Sequence, residues 1–596
     1  MAKRNIPIRY TNRDFDSIRN ELVNYAKRYY PDTFRDFSEA SFGSLMIDTV
    51  AYVGDVMSFY LDYQVNESFM DTAVEYDNVL RLAKQMGYKY KGAPSTTGMV
   101  TLYVIVPANT TGLGPDTRYL PILKRNTVLG STGGSFILTE DVRFDNPNNQ
   151  MVAAQVSTSG VPTSYVVKAE GQIISGQFGV ETVTVGAFER FKKVSINGSN
   201  IVEIVSVFDS EGNEYFEVEY LTHDVVYKAI PNNDANTRDN APSLVRPFIA
   251  TRRFTTEKDR NSTSLQFGYG SDSEIATPTL AEPSNVVLQR HAKSYVSDTV
   301  FDPSDLVGTD KLGIGPENTT LTITYRSNTT NSSNAAVGDV NTVSSPIFEF
   351  NDPTIATSAE AVTAINSLEC YNEEPIVGSV ALPSTEDIRM QAMNLFPTQN
   401  RAVTSTDYEA ITYAMPSHFG AVKRCRVVRD QDSLKRNLNM YIISEDTQGK
   451  LIQSNSALKE NLKIWLNRYR MINDTVDILD AKIVNIGIEF EVVSSEEVNR
   501  YEVLDSTIEA LRAKFNLSMY IGERFYITDV FTELNRVRGV VDTVSVKLVN
   551  KTGGNYSQST FNIDKFMSLD GRYLSVPDNV ILEIKYPDID IRGTVV

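Results

Sequence analysis

The sequence has few of the residue types on which catalytic and metal sites are most often built. Its 596 residues include three histidines, two cysteines and one tryptophan. His223, His291 and His418 lie far apart in the chain, and none has a second ligand at a zinc-binding spacing. The phosphate-loop pattern GxxxxGK[ST] and the nucleophile-elbow pattern GxSxG are both missing. We therefore predict no metal site, no cofactor and no enzymatic activity.

Cysteine and long apolar runs are equally scarce. Cys370 and Cys425 are too few for a disulfide framework, and we interpret both as free thiols. No run of about eighteen apolar residues is present, so a membrane-spanning helix is not expected. The first residues also lack the charged and apolar regions of a secretory signal. These observations predict a chain that folds in a reducing cytosol and does not insert into membranes.

Basic residues are fewer than acidic residues. The chain has 57 Lys and Arg against 75 Asp and Glu, which gives a formal charge of −18. Nucleic-acid-binding proteins concentrate basic residues to displace phosphate counterions. The one basic stretch, from Lys3 to Arg13, is followed at once by Asp14 and Asp16. We interpret it as a solvated or partner-facing end, and nucleic acid is not a predicted partner.

Residues 13–88 have the pattern of three helices. Thr11 or Asn12 is a candidate N-cap for the first helix, which Pro31 would end. Ser41 or Ser38 is a candidate start for the second. In the third, Thr72 and Glu75 have the spacing of a capping box, and Gly87 has the position of a left-handed stop.

The middle helix carries more apolar surface than one core needs. One set of positions is predicted to form a core stripe: Phe42, Leu45, Met46, Val50, Val53, Met57, Tyr60 and Leu61. A second set falls largely outside that stripe: Ile47, Tyr52, Val56, Phe59 and Tyr63. A helix that is apolar almost all round is buried by its neighbours, and on the residues alone these could be parts of the same chain or other chains. The candidate interface residues are Phe42, Leu45, Ile47, Tyr52, Val53, Val56, Phe59, Tyr60 and Tyr63.

The remainder of the chain predicts a multidomain α+β protein. After the helical domain at 1–95, residues 96–350 show period-two, β-branched runs that indicate a sandwich or small β-barrel, with one insertion or two subdomains. Within it, small polar residues at 326–346 predict a mobile loop. Residues 351–400 resemble a helical connector. Residues 401–596 alternate strands and helices in an order that suggests a split βαβ domain, with a helix at 456–470.

Two further patterns contain residue types that occur in binding or catalytic sites. The glycines of residues 267–272, FGYGSD, are better explained by a hairpin turn than by a phosphate cradle, because a third glycine and a following helix are missing. Carboxylates alternate with apolar residues in two strands, which predicts solvated sheet faces rather than a pair facing across a glycosidase cleft. These carboxylates are Glu214, Glu217, Glu219, Glu489 and Glu491.

Two separate motifs resemble one known family. The first comprises Arg13-Asp14-Phe15 with Ile18, Asp36-Phe37, Ser41, Gly43, Tyr60, Asp62, Glu67, Thr72-Ala73, Leu82-Ala83 and Gly87-Tyr88. The second is RAVTSTDYEA at 401–410, preceded by PSTEDIRMQAMNLFPTQN. In this order they resemble the baseplate J-like family, the wedge proteins of contractile-tailed bacteriophages, and within it the large inner wedge subunits of T4-like phages.

The resemblance implies a structural role in a virion tail baseplate that is assembled in the host cytoplasm. It implies a second copy of the chain, other wedge subunits including a long helical one, and hub and sheath-initiating proteins as partners. It also implies an inner ring that relays conformational change to the sheath. Two other classes stay open: a receptor-binding or fibre-attachment protein, which glycan binding would reveal, and a cell-wall hydrolase, which activity on peptidoglycan would reveal.

Overall fold

A computed structural model describes most of the chain. The described residues are 14–30, 32, 41–92, 95–110, 114–232, 243–259, 262–271, 312–328, 333–378, 383–430, 437–446, 448–495, 498–515 and 519–596. They form a multidomain α+β protein with helices at the N terminus, a β-rich middle and mixed sheets at the C terminus, as the sequence predicts.

Helices occur at both ends of the chain and in a short stretch between them. In chain order, α1 to α11 are Phe15–Tyr29, Phe42–Asn66, Tyr76–Gln85, Ala359–Asn366, Thr385–Leu395, Ser405–Tyr413, Ser456–Leu466, Arg500–Phe515, Ile527–Arg536, Ile563–Phe566 and Pro587–Asp590.

The first three helices begin and end through local hydrogen bonds. The cap of α1 is Asp14, whose side chain accepts from the Ser17 amide, so the prediction of Thr11 or Asn12 as its cap is wrong; those two residues lie outside the described ranges. Ser41 caps α2 as predicted. Gly87 ends the third helical segment with φ of +90°, a conformation that glycine adopts at no steric cost.

The predicted capping box of α3 is absent. The helix begins at Tyr76, and Glu75 occupies the cap position without a side-chain bond to the helix. The Thr72 hydroxyl instead donates to the Asn66 carbonyl, 2.6 Å away. The Glu75 carboxylate accepts from the Tyr63 hydroxyl. Both side chains therefore serve the turn that joins α2 to α3.

Strands dominate from residue 97 onwards. In chain order, β1 to β19 are Thr97–Pro107, Ile122–Leu123, Val128–Gly130, Ser135–Leu138, Val142–Arg143, Gln150–Val156, Pro162–Ser175, Gln177–Val185, Lys193–Ile196, Ile201–Phe208, Glu214–Glu217, Val225–Pro231, Ser243–Ile249, Arg253–Lys258, Thr263–Phe267, Thr319–Ser327, Thr342–Ser345, Phe348–Glu349 and Glu369–Tyr371.

The first large sheet has the strand order β17-β3-β4-β7-β1-β19, with β6 paired to β7. A smaller sheet, β18-β2-β5, contributes Leu123 and Val142 to the same core as Leu102 and Val167 of the large sheet. The two sheets therefore enclose one apolar core in the manner of a sandwich.

The second large sheet curls toward a barrel. Its order is β8-β16-β10-β11-β14-β15-β9, and its core includes Val207, Phe267 and Leu321. The end strands β8 and β9 do not pair, but the Glu181 carboxylate of β8 accepts from the Asn197 amide at 3.0 Å, just beyond β9. A separate ribbon, β12-β13, completes this region.

The predicted mobile loop at 326–346 is wrong for its described part. Arg326 and Ser327 belong to β16, and β17 (Thr342–Ser345) pairs with β3. Ala335 and Val340 are buried in the core of the first sheet. The segment has few apolar side chains, but it obtains its order from backbone pairing with a sheet that local composition does not reveal.

The C-terminal region contains two mixed sheets. Strands β20 to β29 are Arg424–Arg429, Asn437–Glu445, Leu451–Ile452, Thr475–Asp480, Lys482–Ser494, Phe525–Tyr526, Val540–Lys551, Tyr573–Leu574, Val580–Glu583 and Ile591–Val595.

In the first of these sheets, β21 lies between β20 and β23, and α6 and α7 supply much of the core. In the second, β24 pairs antiparallel with β26 and parallel with β28 and β29, against α8 and α9. Helix α7 ends at Leu466 rather than at the predicted residue 470. After β19, the chain returns to the N-terminal helices through α5. This helix packs on α3 in a core that includes Leu80, Ile388 and Ala392.

Candidate assembly surface on the N-terminal helices

Helix α2 uses its small residues to pack against α1. Its buried residues are Ser44, Ala51 and Ser58, which recur every seven positions and therefore share one face. Beside them, a Cβ added to Gly54 would stand 3.2 Å from Ile18 of α1. Small side chains allow two helix backbones to approach closely, so α1 covers the small-residue face of α2.

The large apolar residues of α2 face away from α1. The eight positions predicted as a core stripe are all exposed in the single chain, among them Leu45 at 59%, Val53 at 51% and Tyr60 at 64%. The prediction that they form a core within the chain is therefore wrong. The periodicity identified a continuous stripe, but the stripe that α1 covers is the one with small side chains.

The nine candidate interface residues fall into two groups. Five are exposed: Phe42, Leu45, Tyr52, Val53 and Tyr60. The other four are half-buried: Ile47, Val56, Phe59 and Tyr63. With Met46, Val50, Met57, Leu61 and Val65, the exposed residues cover roughly half of the helix circumference at about 100° per residue. We refer to this exposed apolar face of Phe42–Asn66 as the α2 face.

Sequence reasoning missed an aromatic group on α1. No residue of α1 is buried, and Tyr25, Tyr29 and Tyr30 are each more than half exposed. The rings of Tyr25 and Tyr29 lie 4.8 Å apart and tilted. Their spacing of four residues was the available signal, because it places them on one side of a helix.

Charge is confined to one side of α2. The helix has three acidic residues, Asp48, Asp55 and Asp62, and no basic residue. Arg19 of α1 donates to Asp48 at 2.6 Å, which helps to fix the pairing of the two helices. The seven-residue spacing puts the carboxylates near the small-residue face, so the α2 face itself is uncharged.

The helix pair is attached through the turn between α2 and α3. Glu67 is buried, and its carboxylate accepts from the amides of Val74 at 2.8 Å and Glu75 at 3.3 Å and from the Asn78 side chain at 3.0 Å. It thus satisfies backbone donors at the start of α3, the task that the predicted capping box was expected to perform. The hydrogen bond to Glu75 also raises the pKa of Tyr63.

Arg389 of α5 fixes this turn from the other side. Its guanidinium donates to the carbonyls of Met70 at 2.7 Å and Ala73 at 2.6 Å, and it forms an ion pair with Glu386. The Arg389 side chain is 8% exposed. Hydrogen bonds from a buried charged donor are among the stronger ones in proteins. Arg389, more than 300 positions away in sequence, therefore holds the turn that follows the α1–α2 pair.

The other candidate sites do not assemble into a chemical centre. His223 packs edge-on against Tyr220, and His418 packs against Phe419, while His291 lies outside the described residues. Over the described part of the chain, no group of three or more His, Cys, Asp or Glu side chains is placed to hold a metal ion. Cys370 and Cys425 are free and buried, and burial raises the pKa of Cys370 to about 11.

The glycine-rich segment after β15 is a close backbone contact. A Cβ on Gly268 would lie 2.0 Å from the Gly313 carbonyl oxygen, so the chain passes too near for any side chain. Gly270 forms a bridge with Ile314. The described part of the segment pairs with residues 312–315 and makes no hairpin turn, so the predicted turn is wrong. The glycines have a structural role here, as a close contact between two backbone segments.

The alternating carboxylates are at the surface or paired. Glu217, Glu219 and Glu489 are exposed. Glu214 forms an ion pair with Lys228 at 3.0 Å, and Glu219 forms one with Lys89 at 2.7 Å. Lysines therefore partner Glu214 and Glu219, and Glu217 and Glu489 lie at the surface, as expected for sheet faces.

The first sequence motif lies in the segment that forms α1, α2 and α3. Residues 14–85 match the family model described as bacteriophage baseplate protein, N-terminal domain. This match indicates that the protein is a structural component of a phage-type baseplate. The second motif, at 401–410, lies outside the match. No curated protein matches the sequence.

Two solved assemblies resemble the chain weakly. A cryo-EM structure of the anti-feeding prophage baseplate, 6-fold symmetrised, aligns at 9% identity and a TM-score of 0.25, over 96% of this chain and 98% of the other. A type VI secretion system TssK-TssF-TssG baseplate subcomplex aligns at 8% identity and a TM-score of 0.27, over 74% and 96%.

None of the helices in the described ranges combines the length and the apolarity needed to cross a bilayer.

Proposed function

We propose that this protein is a structural, non-enzymatic subunit of the baseplate wedge that forms an inner ring around the central hub. It passes a conformational change to the contractile sheath. Its proposed partners are a second copy of itself, other wedge subunits including a long helical one, and hub and sheath-initiating proteins. Its place is the tail baseplate, assembled in the host cytoplasm. The observation that carries this proposal is the α2 face, an uncharged apolar surface on a helix pair held by one turn.

The size and composition of the α2 face favour an obligate contact over a transient one. Full burial of a large apolar side chain stabilises by about 1.5–3 kcal/mol relative to leaving it exposed. Soluble proteins rarely leave a contiguous apolar patch uncovered unless it binds a partner. Leu45, Val53 and Tyr60 lie on that face, and a helix from another subunit packed along α2 would remove all of them from water.

The experiment introduces charge into the α2 face without touching the α1 contact. Leu45→Asp combined with Val53→Asp is expected to leave the C-terminal region folded and to abolish formation of wedge assemblies on co-expression with neighbouring gene products. Light scattering gives the mass of the purified material. The matched control is Ile464→Asp with Ile472→Asp, which places the same charges on exposed isoleucines of the C-terminal region. Assemblies of native size from the α2 variant would contradict the proposal.

The division into 1–95, 96–350, 351–400 and 401–596 is part of the same proposal. Helix α5 in the third segment packs on α3 in the first, and β19 pairs with β1. We therefore expect limited proteolysis to release α1–α2 before it separates the third segment from the first two. Early release of the third segment would contradict the packing of α5 on α3 and the pairing of β19 with β1 as the contacts that hold it.

A further inference from the structure

The edge strand β6 (Gln150–Val156) is exposed at every position. One side of it pairs with β7, from Gln150 opposite Lys168 to Val156 opposite Pro162. Within the described ranges, no strand pairs with its other side. A free side of a strand presents backbone N–H and C=O groups that can hydrogen-bond to another strand.

Strand β6 has no charged residues that would hinder pairing with another strand. Residues 146–167 contain no Asp, Glu, Lys or Arg, although these types make up 22% of the chain. Natural edge strands are usually blunted by charges, prolines or bulges. The register irregularities of β6 lie at its hairpin end, after Ala153, so Gln150 to Ala153 pair regularly. By contrast, the edge strand β8 of the second sheet carries Glu181.

One row on the outer face of the sheet beside this edge is apolar. Val152 lies opposite Val166, and Val166 lies opposite Ile105 on β1, so the three side chains form one row across three strands. Val152 is 67% exposed and Ile105 is 39% exposed. In the next row, Val167 and Val104 are buried in the core, whereas Met151 at the edge is 37% exposed. A strand added to β6 would extend the exposed row and cover part of it.

We propose that the occupant of this edge is β6 of a second copy of the chain, paired antiparallel about a two-fold axis. Two chains of charge −18 repel each other, and an uncharged stretch lets their backbones meet without placing like charges opposite one another. Two-fold pairing is self-complementary and uses both free edges, so it closes as a dimer instead of growing. A strongly charged partner strand would find no counter-charge on 146–167. The pairing is independent of the α2 face.

Site-specific cross-linking tests this pairing directly in the full-length protein. Both native cysteines are buried, so a cysteine introduced on β6 is the accessible thiol. Single variants Met151→Cys, Val152→Cys, Ala153→Cys and Ala154→Cys are oxidised and their masses are compared. The proposal predicts a disulfide-linked dimer at one or two adjacent positions, those nearest the two-fold axis. Val180→Cys, on the edge strand β8 and 64% exposed, is the control and should stay monomeric under the same conditions.

The absence of a dimer at all four positions would overturn the proposal, and so would equal cross-linking of the Val180 control. Cross-links only to other baseplate subunits would replace the second copy with a foreign strand and equally overturn it. A second variant, Val152→Lys, is expected to reduce cross-linking of Ala153→Cys by roughly tenfold or more, whereas Val180→Lys leaves it unchanged. Leu45→Asp with Val53→Asp should also leave it unchanged, so failure of this pairing and failure of the α2 interface are distinguishable.

Discussion

At the residue scale, two side chains, Glu67 and Arg389, decide how the N-terminal helices are held. Glu67 satisfies the amides that begin α3, and Arg389 satisfies the carbonyls of the preceding turn. Neither role follows from a helix-capping spacing, because Glu67 lies seven residues before the first amide that it binds and Arg389 lies on a distant helix. The sequence identified Glu67 as part of a family motif, but its physical task needed the three-dimensional contacts.

Replacing Arg389 tests this anchor. Arg389→Gln removes the charged donor to Met70 and Ala73, and hydrogen bonds from charged groups contribute about 1.5–3 kcal/mol. Amide hydrogen exchange in residues 69–78 should therefore become roughly tenfold to a hundredfold faster. Arg500→Gln at the exposed start of α8 is the control. Unchanged exchange in the turn would show that the guanidinium does not hold it.

Cys370 makes a pH-dependent contribution to stability. Burial raises its pKa from 9.0 to about 11, so the folded chain holds its thiol proton where the unfolded chain has lost it. This contribution is fully present below pH 9 and is lost as pH rises from 9 to 11. At pH 10 the loss should be about 1 kcal/mol in the unit that contains Cys370.

Urea unfolding of the native chain and of Cys370→Ala at pH 8 and pH 10 measures this contribution. The cavity created by the alanine lowers stability equally at both pH values. The fall in stability between pH 8 and pH 10 should therefore be smaller in the variant by about 1 kcal/mol. Identical falls would mean that Cys370 does not titrate differently in the two states.

At the scale of elements, α2 shows what periodicity can and cannot predict. Its start at Ser41 and its apolar character follow from the sequence. Which face is covered depends on α1, which packs against the narrow stripe of Ser44, Ala51 and Ser58 instead of the broader apolar stripe. The two helix backbones pack closely where the side chains are small. The large apolar side chains lie on the α2 face, which the single chain leaves exposed.

Enlarging one small residue tests this packing. Ala51→Leu adds three carbon atoms where Ala51 is fully buried, so α1 must move away at a cost of about 1–3 kcal/mol. A free fifteen-residue helix is marginal in water, and hydrogen exchange of Phe15–Tyr29 should rise accordingly. Val50→Leu, a neighbouring exposed position, should leave α1 protected. Equal exchange in both variants would contradict the helix pairing.

At the scale of the whole molecule, the sequence predicts the fold class and the order of its regions. It misses the contacts that join distant segments. The composition of the polar stretch 326–346 predicts a mobile loop, yet Thr342–Ser345 completes the sheet that begins at Thr97. Likewise β19 pairs with β1 although its segment was predicted as a helical connector. Such pairings depend on backbone partners far along the chain, which composition and local periodicity do not report.

Much of the candidate site could likewise be predicted from the sequence. The excess of apolar residues on the middle helix and the family motif both indicated an interface, and the helix itself was predicted correctly. The detail that failed was the assignment of core and outside positions. A single chain's sequence records which faces are apolar, but the surfaces that cover them belong to an assembly.

Hydroxyl-radical footprinting of the α2 face, in the free chain and in assembled baseplates, tests the central claim most directly. Met57 and Tyr60 are exposed and oxidise readily as residue types, so both should react in the free chain. If the α2 face is an assembly interface, their oxidation should fall several-fold on assembly. Tyr501, which is exposed on α8, reports on accessibility elsewhere on the surface. Equal oxidation of Met57 and Tyr60 in both states would contradict the account.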